Sequence, residues 1–225
     1  MAPAGSHDGG FAPQPNLNVL ARPQNCGFDV SARAVAGGVP ANFGYWSGPA
    51  FLLTGFVQGV RPVEGAGMLQ FLDPPAGAAG NSEVWQLIDL RPFKKLLAGG
   101  LVEGKLSSRF NRIGGNTLPP GKFGLTLAAF NGSALQPERL WKERTMVAVA
   151  LADKELAADN NPATWEKIEV SAKLPPETDF VIIEIRALAP SGVRGSGKLF
   201  PGDFADLVDF KLSTPLRTSS ISTSR

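Results

Sequence analysis

The chain has 225 residues, with 20 acidic and 22 basic side chains, one His and one Cys, and a formal net charge of +2. A single Cys excludes an intrachain disulfide and a cysteine-based zinc site, and a single His argues against His-containing catalytic triads and multi-histidine metal centres. The balanced charge disfavours nucleic acid as the main partner, and no apolar stretch is long enough for a membrane helix, so no membrane insertion is expected.

The two ends of the chain differ in composition from its middle. Residues 1–15 are rich in Gly, Ala and Pro, and residues 214–225 lack periodicity, so both are predicted to be flexible tails around one domain at residues 16–213. No charged segment followed by an apolar one marks a secretory signal peptide at the N-terminus. Two interpretations of the compartment stay open: a cytoplasmic protein, or a domain of a longer exported protein, which would be extracytoplasmic (periplasmic or at the cell surface).

The middle of the chain reads as a series of short strands separated by loops rich in Gly and Pro. In residues 179–190, Val181 and Ile183 share one face of the predicted strand, whereas Glu184 and Arg186 lie on the other. Similar runs occupy residues 51–60, 68–73, 83–90, 102–113, 122–131, 145–152, 165–174 and 206–212, and helical turns are predicted at 92–98 and 134–142. About nine strands with little helix predict an all-β fold, an antiparallel β-sandwich of the jelly-roll type.

Six short motifs occur in a fixed order along this predicted sandwich. They are NCGFD at residues 25–29, GAGMLQF at 65–71, SEVWQLIDL at 82–90, GKLSSRF at 104–110, WEKIEV at 165–170 before LP at 174–175, and GDFADLVDFKL at 202–212. This order resembles the galactose-binding-like jelly roll of many carbohydrate-binding modules. It also resembles the extracytoplasmic C-terminal domains of FecR-type bacterial regulatory proteins. The resemblance implies a domain that binds a polysaccharide or a cell-surface glycan.

The same resemblance implies a structural calcium ion where the first and last strands of such modules meet. Asp29 and Asp206 occupy the matching motif positions and are the predicted calcium ligands. Calcium takes six to eight oxygen ligands, and Glu64 or Asp203 can join them if the turns converge. Two departures weaken the match, because the motif's opening Glu is replaced by Asp29 and its second closing Asp by Leu207. The alternative is a pair of loop acids that are solvated or hydrogen-bonded to backbone amides.

Aromatic residues in loops are the first candidates for sugar binding, because aromatic faces stack on pyranose rings and loops carry much of a protein's recognition surface. Tyr45 and Trp46 lie in the Gly-rich segment 42–48 and are predicted to be exposed. They are therefore the leading candidates for contact with a sugar.

Strand residues complete the predicted binding site. Trp85 is a further aromatic candidate, and Arg109 and Asn111 share one strand face, from which they can donate hydrogen bonds. Each Trp also has an alternative role as a packing residue, and Trp141 and Trp165 are expected to pack in the core or at an edge.

Catalysis is not expected. Glycoside hydrolysis needs two carboxylates about 5–10 Å apart, and nothing in the sequence marks such a pair. The segment at residues 192–198 matches the first seven positions of a phosphate-binding loop, but Leu199 replaces the hydroxyl residue and Pro201 prevents a following helix. Three functions remain: a non-catalytic carbohydrate-binding module, a structural or protein-interaction domain of a FecR-like signalling protein, and, least favoured, a glycoside hydrolase.

Overall fold

The computed structural model describes residues 23–29, 35–36, 38–49, 51–73, 80–113, 121–189, 200 and 202–214. The predicted tails at 1–15 and 214–225, except for residue 214, and the Gly-rich loop at 192–198 lie outside these residues. The domain boundaries at residues 16 and 213 therefore stay predictions. Within the described ranges, no helix is both long and apolar enough to cross a membrane.

Eleven strands account for about half of the described chain. They are β1 (Val35–Ala36), β2 (Ser47–Gly48), β3 (Phe51–Thr54), β4 (Met68–Phe71), β5 (Asn81–Asp89), β6 (Val102–Arg112), β7 (Lys122–Phe130), β8 (Ala150–Ala157), β9 (Glu166–Leu174), β10 (Phe180–Leu188) and β11 (Asp203–Ser213). The helical pieces are a 3₁₀ turn at Arg91–Phe93 and the helices α1 (Lys94–Leu97), α2 (Pro137–Lys142) and α3 (Arg144–Val147). The two predicted helical turns are thus confirmed.

The strands form two sheets. The six-stranded sheet has the order β1-β2-β5-β10-β7-β8, and the five-stranded sheet has the order β3-β4-β11-β6-β9. Every pairing is antiparallel except that of the short β1 with β2. From β8 onward the chain crosses to the other sheet at each connection, as it does on both sides of β6. The predicted antiparallel sandwich with jelly-roll connections is therefore confirmed.

Alternating side chains build the core between the two sheets. In β10, Val181, Ile183 and Ile185 face the other sheet and are fully buried, as the period-2 pattern predicts. Phe110 of β6 and Phe123 of β7 stack across the interface with their ring centroids 5.0 Å apart. Each such side chain contributes about 1.5–3 kcal/mol through burial, so this interface is the main source of stability.

Both sheets are also partly covered on their outer faces. Trp141 of α2 packs on the six-stranded sheet, where it belongs to a cluster with Trp85 and Phe180. On the five-stranded sheet, Met68 and Phe204 lie under the loop residue Val60 in a smaller cluster. The open surface available for a ligand therefore lies beside these two covers.

The structure corrects two predicted strands. Residues 145–152 do not form one strand, because Arg144–Val147 is helical and β8 begins at Ala150. The Arg144 guanidinium lies 4.2 Å from the centre of the Trp141 ring, and this contact joins α3 to the cover over the six-stranded sheet. The run at 51–60 also ends early, since β3 stops at Thr54 and a tight turn links Val57 to Val60.

Candidate functional site

Trp46 is a core residue, and the prediction that it is exposed is wrong. Its side chain is 2% exposed and belongs to the main core cluster. The indole Nε1 donates hydrogen bonds to the carbonyl oxygens of Gln24 at 2.9 Å and Asn25 at 3.3 Å, and the ring packs 5.4 Å from that of Phe28. The segment around residues 24–28 thus covers Trp46, whose ring has no free face for a sugar. The neighbouring Tyr45 is 58% exposed, as predicted.

Trp85 is covered as well, although it points away from the main core. It lies on the outer face of β5, where the ring of Trp141 meets it edge-on at a centroid distance of 6.3 Å. Trp85 is only 5% exposed, so its alternative role as a packing residue is correct and its role in sugar contact is not supported. The expectation that Trp141 is a packing residue is confirmed by its 6% exposure.

Arg109 and Asn111 share a face of β6, but only Arg109 is accessible. Asn111 is 1% exposed, donates from Nδ2 to the Pro162 carbonyl at 3.0 Å and accepts from the Arg112 amide at 2.6 Å. Its hydrogen-bonding groups therefore serve the fold and are not available to a ligand. Arg109 is half-buried, and its Nη1 lies 3.4 Å from the Trp165 carbonyl.

The five predicted binding residues do not form one site. Tyr45 lies in the loop just before β2, and Trp85 lies on β5, so both are on the side of the six-stranded sheet. Arg109 and Asn111 lie on β6, in the five-stranded sheet on the opposite side of the core. A short oligosaccharide therefore cannot contact both pairs of residues at once.

The structure assembles a different surface around Arg109, which we call the aromatic patch: Phe56, Arg61, Arg109 and Trp165. Phe56 is 58% exposed, and the Arg61 guanidinium lies over its ring at 4.6 Å from the centroid. Trp165 is partly exposed and donates from Nε1 to the Arg61 carbonyl at 2.9 Å. The patch is therefore a continuous surface of two aromatic rings and two guanidinium groups.

Two loops and a strand position this patch. Arg61 and Phe56 come from the turn after β3, Trp165 directly precedes β9, and Arg109 belongs to β6. Trp165 also packs against the buried cluster of Val60, Met68 and Phe204, which fixes its ring on the sheet. The sequence contained a signal for part of this surface, because Phe56 lies between Gly55 and Gly59, much as Trp46 lies between Gly44 and Gly48.

Asp29 and Asp206 do come close together, as the motif resemblance implies, but backbone amides occupy them. Asp29 Oδ1 accepts from the amides of Ala66 at 2.6 Å and Gly67 at 3.0 Å. Asp206 accepts from the amides of Val63 and Leu207, each at 2.7 Å. Burial, together with a smaller contribution from the charge of Asp29, raises the pKa of Asp206 to about 6 against the lowering effect of these amides.

This arrangement does not fit a calcium ion. Amide N–H groups aim at oxygen atoms that would have to face the cation, and an N–H group cannot be a ligand. In the part of the chain that the structure describes, no group of three or more His, Cys, Asp or Glu side chains could hold a metal. The residues therefore match the alternative of acids hydrogen-bonded to turn amides, and calcium stays an untested prediction.

A second pair of carboxylates meets on the outer face of the six-stranded sheet. The Thr126 hydroxyl lies 2.6 Å from Asp153 Oδ1 and 2.7 Å from Glu184 Oε2, and Arg186 Nη1 lies 2.8 Å from each of these oxygens. Burial raises the pKa of Glu184. Burial also acts on Asp153, but the hydrogen bonds from Arg186 and Thr126 bring its pKa below the ordinary value. Because Thr126 and Arg186 fill the space between the carboxylates, no glycosidic bond can enter it.

No protein-family model and no curated protein matches the sequence. Among solved structures, the carbohydrate-binding module TmCBM61 in complex with β-1,4-galactotriose has 14% identity and a TM-score of 0.45, over 85% of this chain and 96% of that one. The CBM22-1 xylan-binding domain of Paenibacillus barcinonensis Xyn10C has 9% identity and a TM-score of 0.43, over 89% of this chain and 97% of that one. Both of these similar structures are carbohydrate-binding modules by description, and the resemblance to FecR-type domains stays a prediction.

Proposed function

We propose that this protein is a non-catalytic carbohydrate-binding module and that the aromatic patch is its sugar-binding surface. The observation that carries the proposal is the pair of accessible rings, Phe56 and Trp165, on adjacent loops at one side of the five-stranded sheet. Aromatic faces bind the apolar C–H faces of pyranose rings, and neighbouring hydrogen-bond donors orient the hydroxyl groups. Arg109, one of the residues predicted from the sequence, supplies such a donor beside Trp165.

The absence of catalysis is part of the proposal. The two carboxylates that meet at Thr126 are separated by Arg186 and lie on the sheet opposite to the patch. Close to the patch, Glu166 accepts a hydrogen bond from the Asp159 amide at 3.0 Å, so this oxygen already has a structural partner. A polysaccharide or cell-surface glycan lies outside the cytoplasm, and we therefore propose an extracytoplasmic role for the domain.

Glycan affinity measurements on matched variants test the site. Affinity gels and titration calorimetry would start from the sugars named with the similar structures: β-1,4-galactotriose, xylohexaose and panose. Phe56→Ala is expected to weaken binding about tenfold or more, since one stacked ring is lost. Tyr45→Ala is the matched control, because Tyr45 has the same exposed fraction of 58% but lies on the other sheet.

The outcomes separate the site from the function. Weaker binding in Phe56→Ala with unchanged binding in Tyr45→Ala supports both. The reverse result moves the site to residues 42–48 and overturns the aromatic patch. If no glycan in a broad panel is retained by the unaltered protein, the carbohydrate proposal fails.

A protein-interaction role is the second candidate, because a separate surface carries exposed apolar side chains. Leu135 is 87% exposed and Met146 is 79% exposed, and both belong to the segment that covers the six-stranded sheet. Exposed apolar groups that form a patch often mark a protein contact. If this role is correct, sedimentation with the cognate partner, or self-association at rising concentration, should be abolished by Met146→Asp while glycan binding is unaffected.

A further inference from the structure

The aromatic patch carries two guanidinium groups that form no ion pair with any carboxylate in the described ranges. Of the seven arginines in the described ranges, four form ion pairs with Asp or Glu, and the three others are Arg61, Arg109 and Arg144. Arg61 and Arg109 are both in the patch. An arginine without an internal partner keeps its full capacity for a bidentate contact with a carboxylate or sulfate group.

Trp165 connects these two arginines. Its indole N–H holds the Arg61 carbonyl at 2.9 Å, and its own carbonyl lies 3.4 Å from Arg109 Nη1. Arg61 is further ordered by its stacking over Phe56 at 4.6 Å. Both charged groups are thus held beside the rings before a ligand arrives, which lowers the entropy cost of binding.

Three acids close to the patch are already engaged. Glu169 pairs with Lys167 at 2.5 Å, and Lys167 lies opposite Arg109 in the β6–β9 register. Asp206 is buried and accepts from the Val63 amide. Glu166 accepts from the Asp159 amide, so none of these three acids forms an ion pair with Arg61 or Arg109. The two arginines are therefore uncompensated positive charges beside a sugar-stacking surface.

We propose that the ligand is an anionic glycan, with carboxylate or sulfate groups bound by Arg61 and Arg109 while its sugar rings stack on Phe56 and Trp165. This inference rests on the proposed carbohydrate binding and names its substrate class. A neutral polysaccharide would remove water from the two guanidinium groups without neutralising their charge, at a cost in affinity. An anion converts the same two groups into charge-assisted hydrogen bonds, which are about twice as strong as neutral ones.

A pair of polymers with the same backbone isolates the charge. Polygalacturonate and its fully methyl-esterified form differ only in the carboxylates, and dextran sulfate with dextran provides the same comparison for sulfate. The unaltered protein is expected to bind at least one anionic polymer about tenfold or more tightly than its neutral counterpart. Which of the two anions is preferred distinguishes carboxylated from sulfated sugars.

Arginine variants identify the groups responsible. Arg61→Gln and Arg109→Gln are each expected to lose about tenfold in affinity for the anionic polymer and little for the neutral one. Arg144→Gln is the matched control, because Arg144 also forms no ion pair within the described residues but stacks on Trp141 over the other sheet. Raising the salt concentration from about 0.1 M to about 1 M, which shortens the Debye length from about 10 Å to about 3 Å, should weaken binding of the anionic polymer.

Each result decides between the two proposals. Equal affinity for charged and neutral polymers overturns the anionic ligand and leaves carbohydrate binding intact. An equal loss in Arg144→Gln overturns it too, since binding would then reflect general charge attraction. If neither member of either pair nor any other glycan is retained, both proposals fail together.

Discussion

Trp46 offers the sharpest test of how the sequence and the structure differ, because the same residue is a sugar contact in one interpretation and a core residue in the other. The structure predicts that Trp46→Ala acts on stability and not on ligand affinity. The indole is 2% exposed and packs in the main core beside Phe28, so its removal leaves a cavity that the two sheets cannot close. Truncating a buried aromatic side chain to Ala costs about 3–5 kcal/mol of unfolding free energy.

Trp46→Phe separates the hydrogen bond from the packing. The Gln24 carbonyl also accepts from Gln86 Nε2 at 3.0 Å, and the Asn25 carbonyl also accepts from the Phe28 amide at 3.1 Å. Neither carbonyl is therefore left unsatisfied when the indole N–H is lost. The expected cost in Trp46→Phe is about 1 kcal/mol for the bond, plus the smaller volume of the ring.

Urea denaturation followed by far-UV circular dichroism measures the unfolding free energy of both variants. Glycan affinity is measured in buffer without urea, at a temperature at which each variant remains folded. The expected order of stability is the unaltered protein, then Trp46→Phe, then Trp46→Ala, with unchanged affinity in the folded fraction. A Trp46→Ala protein that loses less than about 1 kcal/mol of stability yet no longer binds glycan would refute the buried position of this side chain.

Two further predictions concern buried acids. The pKa of Asp206 is raised to about 6 from an ordinary 3.8, so the folded protein holds this proton more tightly than the unfolded chain. The stability that Asp206 contributes therefore falls by about 3 kcal/mol as the pH rises from about 4 to about 6. Above about pH 6 this contribution no longer changes with pH. In thermal melts over this pH range, the stability of the unaltered protein should fall with rising pH relative to that of Asp206→Asn. Added calcium should leave the melting temperature unchanged. Arg112 and Asp203 form a buried ion pair, so Arg112→Met is expected to cost about 3–5 kcal/mol by leaving Asp203 unpaired. The double variant with Asp203→Leu should recover most of this loss in the same melts; a double variant as unstable as Arg112→Met would contradict the pairing.

The sandwich was predictable because its central strands obey one simple rule. In β10, alternate residues face the core, and burial of Val181 and Ile183 follows directly from their period. The strand prediction failed for residues 145–152, because an apolar run does not show whether it packs as a strand or as a helical turn. There the contact of Arg144 with Trp141 and the need to cover Trp85 favour a helical turn before β8 begins. Tertiary packing, which the local sequence does not encode, decided this segment.

The candidate site was harder to predict than the fold, for a related reason. Arg109 and Asn111 were correctly assigned to one face of β6, but Pro162 from a distant loop covers Asn111 and leaves Arg109 accessible. Spacing along a strand specifies the face of the sheet to which a side chain points. Whether that side chain is exposed depends on which loop crosses above this face. A residue can be assigned to a binding surface from the sequence only if the sequence also shows that no loop packs over it.

Trp46 and Phe56 make the same point with matched local sequences. Each aromatic residue lies between two glycines that mark a loop, yet Trp46 is 2% exposed and Phe56 is 58% exposed. The difference comes from outside the loops, because the carbonyls of residues 24 and 25 reach the indole of Trp46, whereas the ring of Phe56 lies under the guanidinium of Arg61 and stays exposed. A tryptophan can be held in the core by its N–H group, which phenylalanine lacks, so the polar handle that makes Trp attractive as a sugar contact is here what buries it. Of these two residues, the accessible one is Phe56, which has no hydrogen bond to offer, and the guanidinium groups beside it supply the polar part of recognition.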